Sequence, residues 1–276
     1  AMEVNIGGSF NTAMGVSALD ANISGANNVS LGTYSLSANT TASNNVAVGY
    51  SALNANTTGT ANTAVGASAL DANTTGTELT AVGKSALSAS TGSYNTAMGS
   101  GAMSNTTTAT HNTAVGRIAL SLNTTGANNT AVGSRALYAT TTAGTNTAVG
   151  ANALTTNTTG ASNTAVGSSA LYANTTGFEN VAVGSIALDA NTTGIGNVAI
   201  GEAALTTATT ASYNTGVGRA ALRLTTTGAS NTGIGFEALK ANTTGTQNVS
   251  VGANALTTNT TGDNNVALGI YALEAN

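Results

Sequence analysis

One arrangement of apolar and polar residues recurs from end to end of this chain. A glycine that directly follows an aliphatic residue stands at Gly15, Gly32, Gly49, Gly66, Gly83, Gly99, Gly116, Gly133, Gly150, Gly167, Gly184, Gly201, Gly218, Gly235, Gly252 and Gly269. Every step is 17 residues except one of 16, between Gly83 and Gly99. A strict short period over a whole chain marks a solenoid or stacked array. In the unit NTAVGSSALYANTTGFE, from Asn163 to Glu179, the NTAVG segment reads as a short strand ended by glycine and NTTG as a turn. Such a unit is too short for a helical hairpin, and Thr, Asn, Val and Gly form helices poorly. The pattern predicts an all-β fold: a parallel β-solenoid with one coil per 17-residue repeat and about 16 coils.

Stacking the repeats turns each position into a column. The residue before the glycine is always aliphatic, from Met14 to Leu268. Further on come an alanine column, broken only by Ser35, and a leucine column in which Met103 is the single exception. These apolar columns are expected to face the core. The residue two before the glycine is always Ala, Ser or Gly, and alternation places it on the opposite side of the strand from the aliphatic residue. A strand apolar on both faces is buried on both, so this small column is expected to meet another coil wall or another chain. Asn stands four before the glycine in every repeat but that of Leu79, and stacked Asn side chains form hydrogen-bonded ladders. One Val and one Leu per coil make a slim core, which favours oligomerisation.

Composition removes several function classes. Charged residues are 6% of the chain and the net charge is −4, with no basic stripe, so no nucleic-acid partner is expected. Cys is absent, which excludes disulfides and thiolate metal sites, and no apolar run approaches a membrane span, so no direct membrane insertion is expected. No cofactor, metal or catalytic constellation is expected either. His111 is the only histidine, and Gly83-Lys84-Ser85 imitates the end of a phosphate loop but has Glu78 where the loop needs glycine. Residues 1–10 are expected to hold an expression-tag scar, Ala1-Met2, and an N-terminal cap, with 11–276 forming a single repeat domain.

The NTAVGxxAL pattern, with its variants Asn45-Val46-Ala47-Val48-Gly49 and Asn197-Val198-Ala199-Ile200-Gly201, resembles the head repeats of YadA-like trimeric autotransporter adhesins. Related repeats occur in phage tail-fibre proteins. The resemblance runs from Asn11 to Asn276 and implies a left-handed β-roll, assembled as a homotrimer and binding host matrix or another cell-surface receptor. It implies an extracellular place, on a bacterial cell surface or a virion fibre. The unit here is longer, because the ALxxNTTG half is expanded.

Individuality sits in the columns that vary. Aromatic and charged residues cluster in a few of them, so these are expected to face solvent. Tyr34, Tyr50, Tyr94, Tyr138, Tyr172, Phe178, Tyr213, Phe236 and Tyr271 are the candidate contact anchors. A rival reading rests on the threonine pairs Thr57-Thr58, Thr74-Thr75, Thr124-Thr125, Thr158-Thr159, Thr175-Thr176 and Thr192-Thr193. Threonines stacked about 4.8 Å apart on an uncharged face are what an ice-binding surface requires. Repeat five departs from the pattern: Glu78-Leu79 replaces the usual polar residue and Asn, and Ser90-Thr91-Gly92 has lost one residue of NTTG. A local ladder defect and an altered turn are expected between Leu79 and Gly92.

Overall fold

The computed structural model describes residues 1–274; the last two residues of the predicted repeat domain lie outside the described residues. The chain divides into two units, Ala1–Thr142 and Ala143–Asn276. The first contains strands β1 (Thr12–Met14), β2 (Val29–Leu31), β3 (Val46–Val48), β4 (Thr63–Val65), β5 (Thr80–Val82), β6 (Thr96–Met98), β7 (Thr113–Val115) and β8 (Thr130–Val132). The second contains β9 (Thr147–Val149), β10 (Thr164–Val166), β11 (Val181–Val183), β12 (Val198–Ile200), β13 (Thr215–Val217), β14 (Thr232–Ile234), β15 (Val249–Val251) and β16 (Val266–Leu268). Within each unit every strand pairs in parallel with the next, equivalent residue on equivalent residue, as in Thr164↔Val181, Ala165↔Ala182 and Val166↔Val183. Each repeat is therefore one coil of a parallel β-solenoid. Residues 1–10 already follow the coil pattern, since Met2 and Ile6 donate their amides to the carbonyls of Ala18 and Ile23.

Between strands the backbone turns through residues with positive φ, three non-glycine residues in a typical coil. In the coil of Gly167 these are Ser169, Leu171 and Glu179, with φ of 55°, 51° and 58°. L-residues pay about 1–2 kcal/mol each for this region, a cost met by the inter-coil hydrogen bonds that the turns allow, such as Leu171 N–H to the Ala187 carbonyl at 3.0 Å. Gly167 itself has φ of 136°, and a Cβ there would stand 2.4 Å from the Gly184 oxygen of the next coil. The glycine column is fixed by both conformation and contact.

The orientation of the strand is the reverse of that expected from sequence. The small column points inward: Ala47, Ala64, Ala165 and Ala182 have no exposed surface. The aliphatic column points outward, with Val65 37% and Met98 45% exposed and the others half-buried or exposed. Interior width explains the reversal. A Cβ on Gly216 would lie 3.5 Å from Leu205, and one on Gly233 3.1 Å from Leu222, so a coil that already holds a leucine has room for a methyl group opposite it. A valine on that side would overpack the core.

Two columns of buried asparagines complete the interior. In the first, the Asn163 Oδ1 accepts the Asn180 N–H at 3.0 Å, and the Asn163 amide donates to the Gly177 carbonyl at 2.9 Å. The second column, from Asn22 to Asn259, was expected to be part of a turn. It is buried, and Asn174 Nδ2 donates to Asn157 Oδ1 at 2.8 Å and to Gly177 O at 2.9 Å. These bonds satisfy polar groups that would otherwise be costly to bury.

Repeat five shows the local defect expected of it. Leu79 is buried in the first asparagine column; its N–H still reaches Asn62 Oδ1, at 3.0 Å, but it offers no acceptor upward. Ser90 replaces the second asparagine, and the Asn73 Oδ1 turns back to accept the Gly76 N–H at 3.0 Å. The bend found at the threonine pair in other coils is absent at Thr91-Gly92, and a bend stands instead at Ser93. The strands are untouched: β5 and β6 pair in full, Thr80↔Thr96 through Val82↔Met98.

Candidate functional site

Each coil presents three kinds of surface. The first is the outer face of the sheet, formed by the aliphatic column and by the Thr or Val two residues earlier. In the second unit it runs through Val149, Val166, Val183, Ile200, Val217, Ile234 and Val251, without a charged residue in either column. In sequence it was taken for the core. The usable signal was variation in size: the small column never exceeds Ala or Ser, whereas the aliphatic column mixes Val, Ile, Leu and Met. Interiors resist changes of volume, and surfaces do not.

The second surface is the threonine pair. In Thr175-Thr176 the first residue is half-buried, and its hydroxyl donates to the Thr192 carbonyl of the next coil at 3.0 Å. The same bond recurs at Thr57, Thr124 and Thr192, at 3.1, 3.0 and 3.0 Å. The second residue is exposed at Thr58, Thr75, Thr125, Thr159, Thr176 and Thr193. Of the remaining candidate ladder residues, Thr158 is half-buried and Thr74 is exposed.

Corners form the third surface and carry the aromatic and charged side chains. Tyr34, Tyr50, Tyr94, Tyr172, Phe178, Tyr213, Phe236 and Tyr271 are exposed, and Tyr138 is half-buried. The fold brings some together in pairs and leaves them on several corners. Tyr34 and Tyr50 meet edge to face with centroids 6.1 Å apart, and Tyr94 stacks on His111 at 4.9 Å. The Arg135 guanidinium lies over the Tyr138 ring at 5.1 Å. Arg219 lies 5.8 Å from the Phe236 ring and also pairs with Glu202 at 3.2 Å. Lys240 pairs with Glu237 at 2.9 Å.

The column of Asp71, Asp189 and Tyr172 is not uniformly open to solvent, contrary to expectation: Ser121 and Thr155 in it are buried. Burial pushes the Asp71 and Asp189 carboxyls above their ordinary value, against their own backbone hydrogen bonds, and the Asp189 Oδ1 is buried without a partner. Asp263 is held below its ordinary value by the Thr246 N–H and hydroxyl, which donate to it at 2.6 and 2.9 Å. Among the described residues no three His, Asp or Glu side chains gather where a metal could be held, no pocket opens, and no helix is long and apolar enough to cross a membrane. No family model matches the chain, and the search of curated proteins found no match.

Proposed function

We propose that the chain is a non-catalytic head or fibre segment that attaches a bacterial surface or a virion to a receptor, and that it works as a homotrimer of left-handed β-rolls. The observation that carries this reading is the outer face of the sheet. In each unit it sets an uncharged aliphatic column against water, and soluble monomers rarely leave a contiguous apolar surface of that kind open. Copies of the chain packed through this face would cover it and enlarge a core that is only a leucine and two alanines wide per coil. The resemblance of NTAVGxxAL to YadA-like head repeats supports the same assembly and an extracellular place. The corners then remain outside the trimer, where the exposed tyrosines and phenylalanines serve as contact anchors for matrix or cell-surface molecules.

Sedimentation equilibrium of the purified chain tests the assembly. A mass three times that of the chain is expected, and the double variant Val166→Lys, Val183→Lys is expected to dissociate it. A wild-type chain that sediments as a monomer at every concentration overturns the reading.

A further inference from the structure

The threonine-pair face has a regularity that the fold accounts for only in part. Its first column is Thr in every coil from Thr40 to Thr260, and its second is Thr from Thr41 to Thr261 with Gly92 the one exception. The first column has a structural task, because its hydroxyl closes a bond to the next coil, as Thr175 does to Thr192 at 3.0 Å. The second shows no such task among the described residues: Thr159, Thr176 and Thr193 are exposed, and their hydroxyls make no hydrogen bond there. Copying of an ancestral repeat does not explain the constancy. Just past the adjacent Gly or Ala the chain varies freely, to Ala161-Ser162, Phe178-Glu179, Ile195-Gly196 and Ser212-Tyr213. Outward columns that keep one residue while their neighbours vary are held by something outside the chain.

The chemistry of the face narrows that partner. It carries no charge and no aromatic ring from Thr158 to Thr261, so it offers nothing to an ionic or stacking ligand. What it offers is a lattice of hydroxyls and methyls, repeated once per coil at about 4.8 Å along the stack. One of its columns is locked in place by hydrogen bonds to the backbone, so ordering a ligand against it costs little side-chain entropy. A periodic ligand of hydrogen-bonding units at that spacing is solid water, whose oxygens repeat at a similar interval. We infer that the threonine-pair face binds ice. It is a surface separate from the aliphatic sheet face and goes beyond the attachment reading, since neither the corners nor assembly through the sheet takes part in it.

Thermal hysteresis and ice-crystal shape, measured on the purified chain, test the inference. Hysteresis that grows with concentration and faceted crystals are expected. The triple variant Thr159→Lys, Thr176→Lys, Thr193→Lys is expected to lose hysteresis several-fold with its circular dichroism unchanged. The corner triple Ala151→Lys, Ser168→Lys, Ser185→Lys, with the same added charge, is expected to keep it. If the lysine triple fails to fold, Thr159→Ala, Thr176→Ala, Thr193→Ala carries the same expectation. Absence of hysteresis and of crystal shaping in the wild type at high concentration overturns the inference, as does an equal loss in the corner and threonine triples.

Discussion

The inner asparagine ladder has a gap that a single substitution should close. Asn174 donates to Asn157 and Gly177 at 2.8 and 2.9 Å and accepts from Asn191 at 2.8 Å. The next coil holds Ala208 in place of the asparagine, fully buried. Two buried oxygens flank it without partners: the Asn191 Oδ1 on one side and the Thr225 Oγ1 on the other. Ala208→Asn would place an amide N–H against the first and a carbonyl oxygen against the second, at a position whose shape accepts Asn in most other coils. Its remaining N–H would face the Ala211 carbonyl, as that of Asn191 faces Gly194 at 3.1 Å. An orphaned buried polar atom costs about 1–3 kcal/mol, and a net neutral hydrogen bond is worth about 1 kcal/mol. The variant is therefore expected to be about 2 kcal/mol more stable. For a chain of this size that is a rise of roughly 4–8 °C in the unfolding temperature, read by calorimetry. Asn174→Ala should show the converse, a loss of about 3 kcal/mol or more, because three bonds disappear and partners are stranded. An Ala208→Asn chain no more stable than wild type would refute the view that the ladder is limited by unsatisfied oxygens.

Two other outcomes follow from the coil. Asp189→Asn is expected to raise the unfolding temperature near neutral pH and to change little at about pH 3: the folded carboxyl titrates above its ordinary value, so stability is lost as pH rises through that window. An equal effect at both pH values, in melts compared side by side, would count against a titrating cause. Gly167→Ala is expected to cost about 1–3 kcal/mol from backbone strain alone, plus its clash with the next coil. Gly177→Ala carries no positive-φ strain, but its Cβ would stand 2.4 Å from the Asn174 Oδ1 and 2.5 Å from the Gly194 oxygen. It too is expected to lower stability, and a denaturant midpoint equal to wild type would contradict the contact.

Much of the architecture was open to inference from the repeat. Period, parallel stacking, the first asparagine ladder and the disturbance at Leu79 follow from residues that recur or fail to recur. The side of the strand that faces inward was misread, because hydrophobicity alone favours Val166 over Ala165 as core. Width decided otherwise, and width depends on Leu171, a residue from a different wall of the coil. Asn174 was taken for a turn residue because Asn and Thr-Thr-Gly are turn formers in general; only closure of the coil shows that its side chain points in. The positive φ of Leu171 was also out of reach, since leucine is among the last residues expected there. One buried pair could have been found by comparing coils. Ser30 and Ser35 are the polar exceptions in two apolar columns of the same repeat, and their hydroxyls meet at 2.6 Å. All the candidate surface anchors but the half-buried Tyr138 are exposed, as their columns suggest. Their dispersal over separate corners was not legible, because column membership does not reveal which corner a column occupies.

The intact pairing of β5 with β6 across a repeat one residue short has a consequence for how such a gene can change. A missing residue is absorbed in the turn of one coil, and the strands resume their alignment at once. The disturbance reaches the Asn73 side-chain amide of the preceding coil and leaves the sheet register intact. Unequal recombination among such repeats would add or remove whole coils and keep the parallel register of those that remain. Length itself becomes a trait on which selection can act directly.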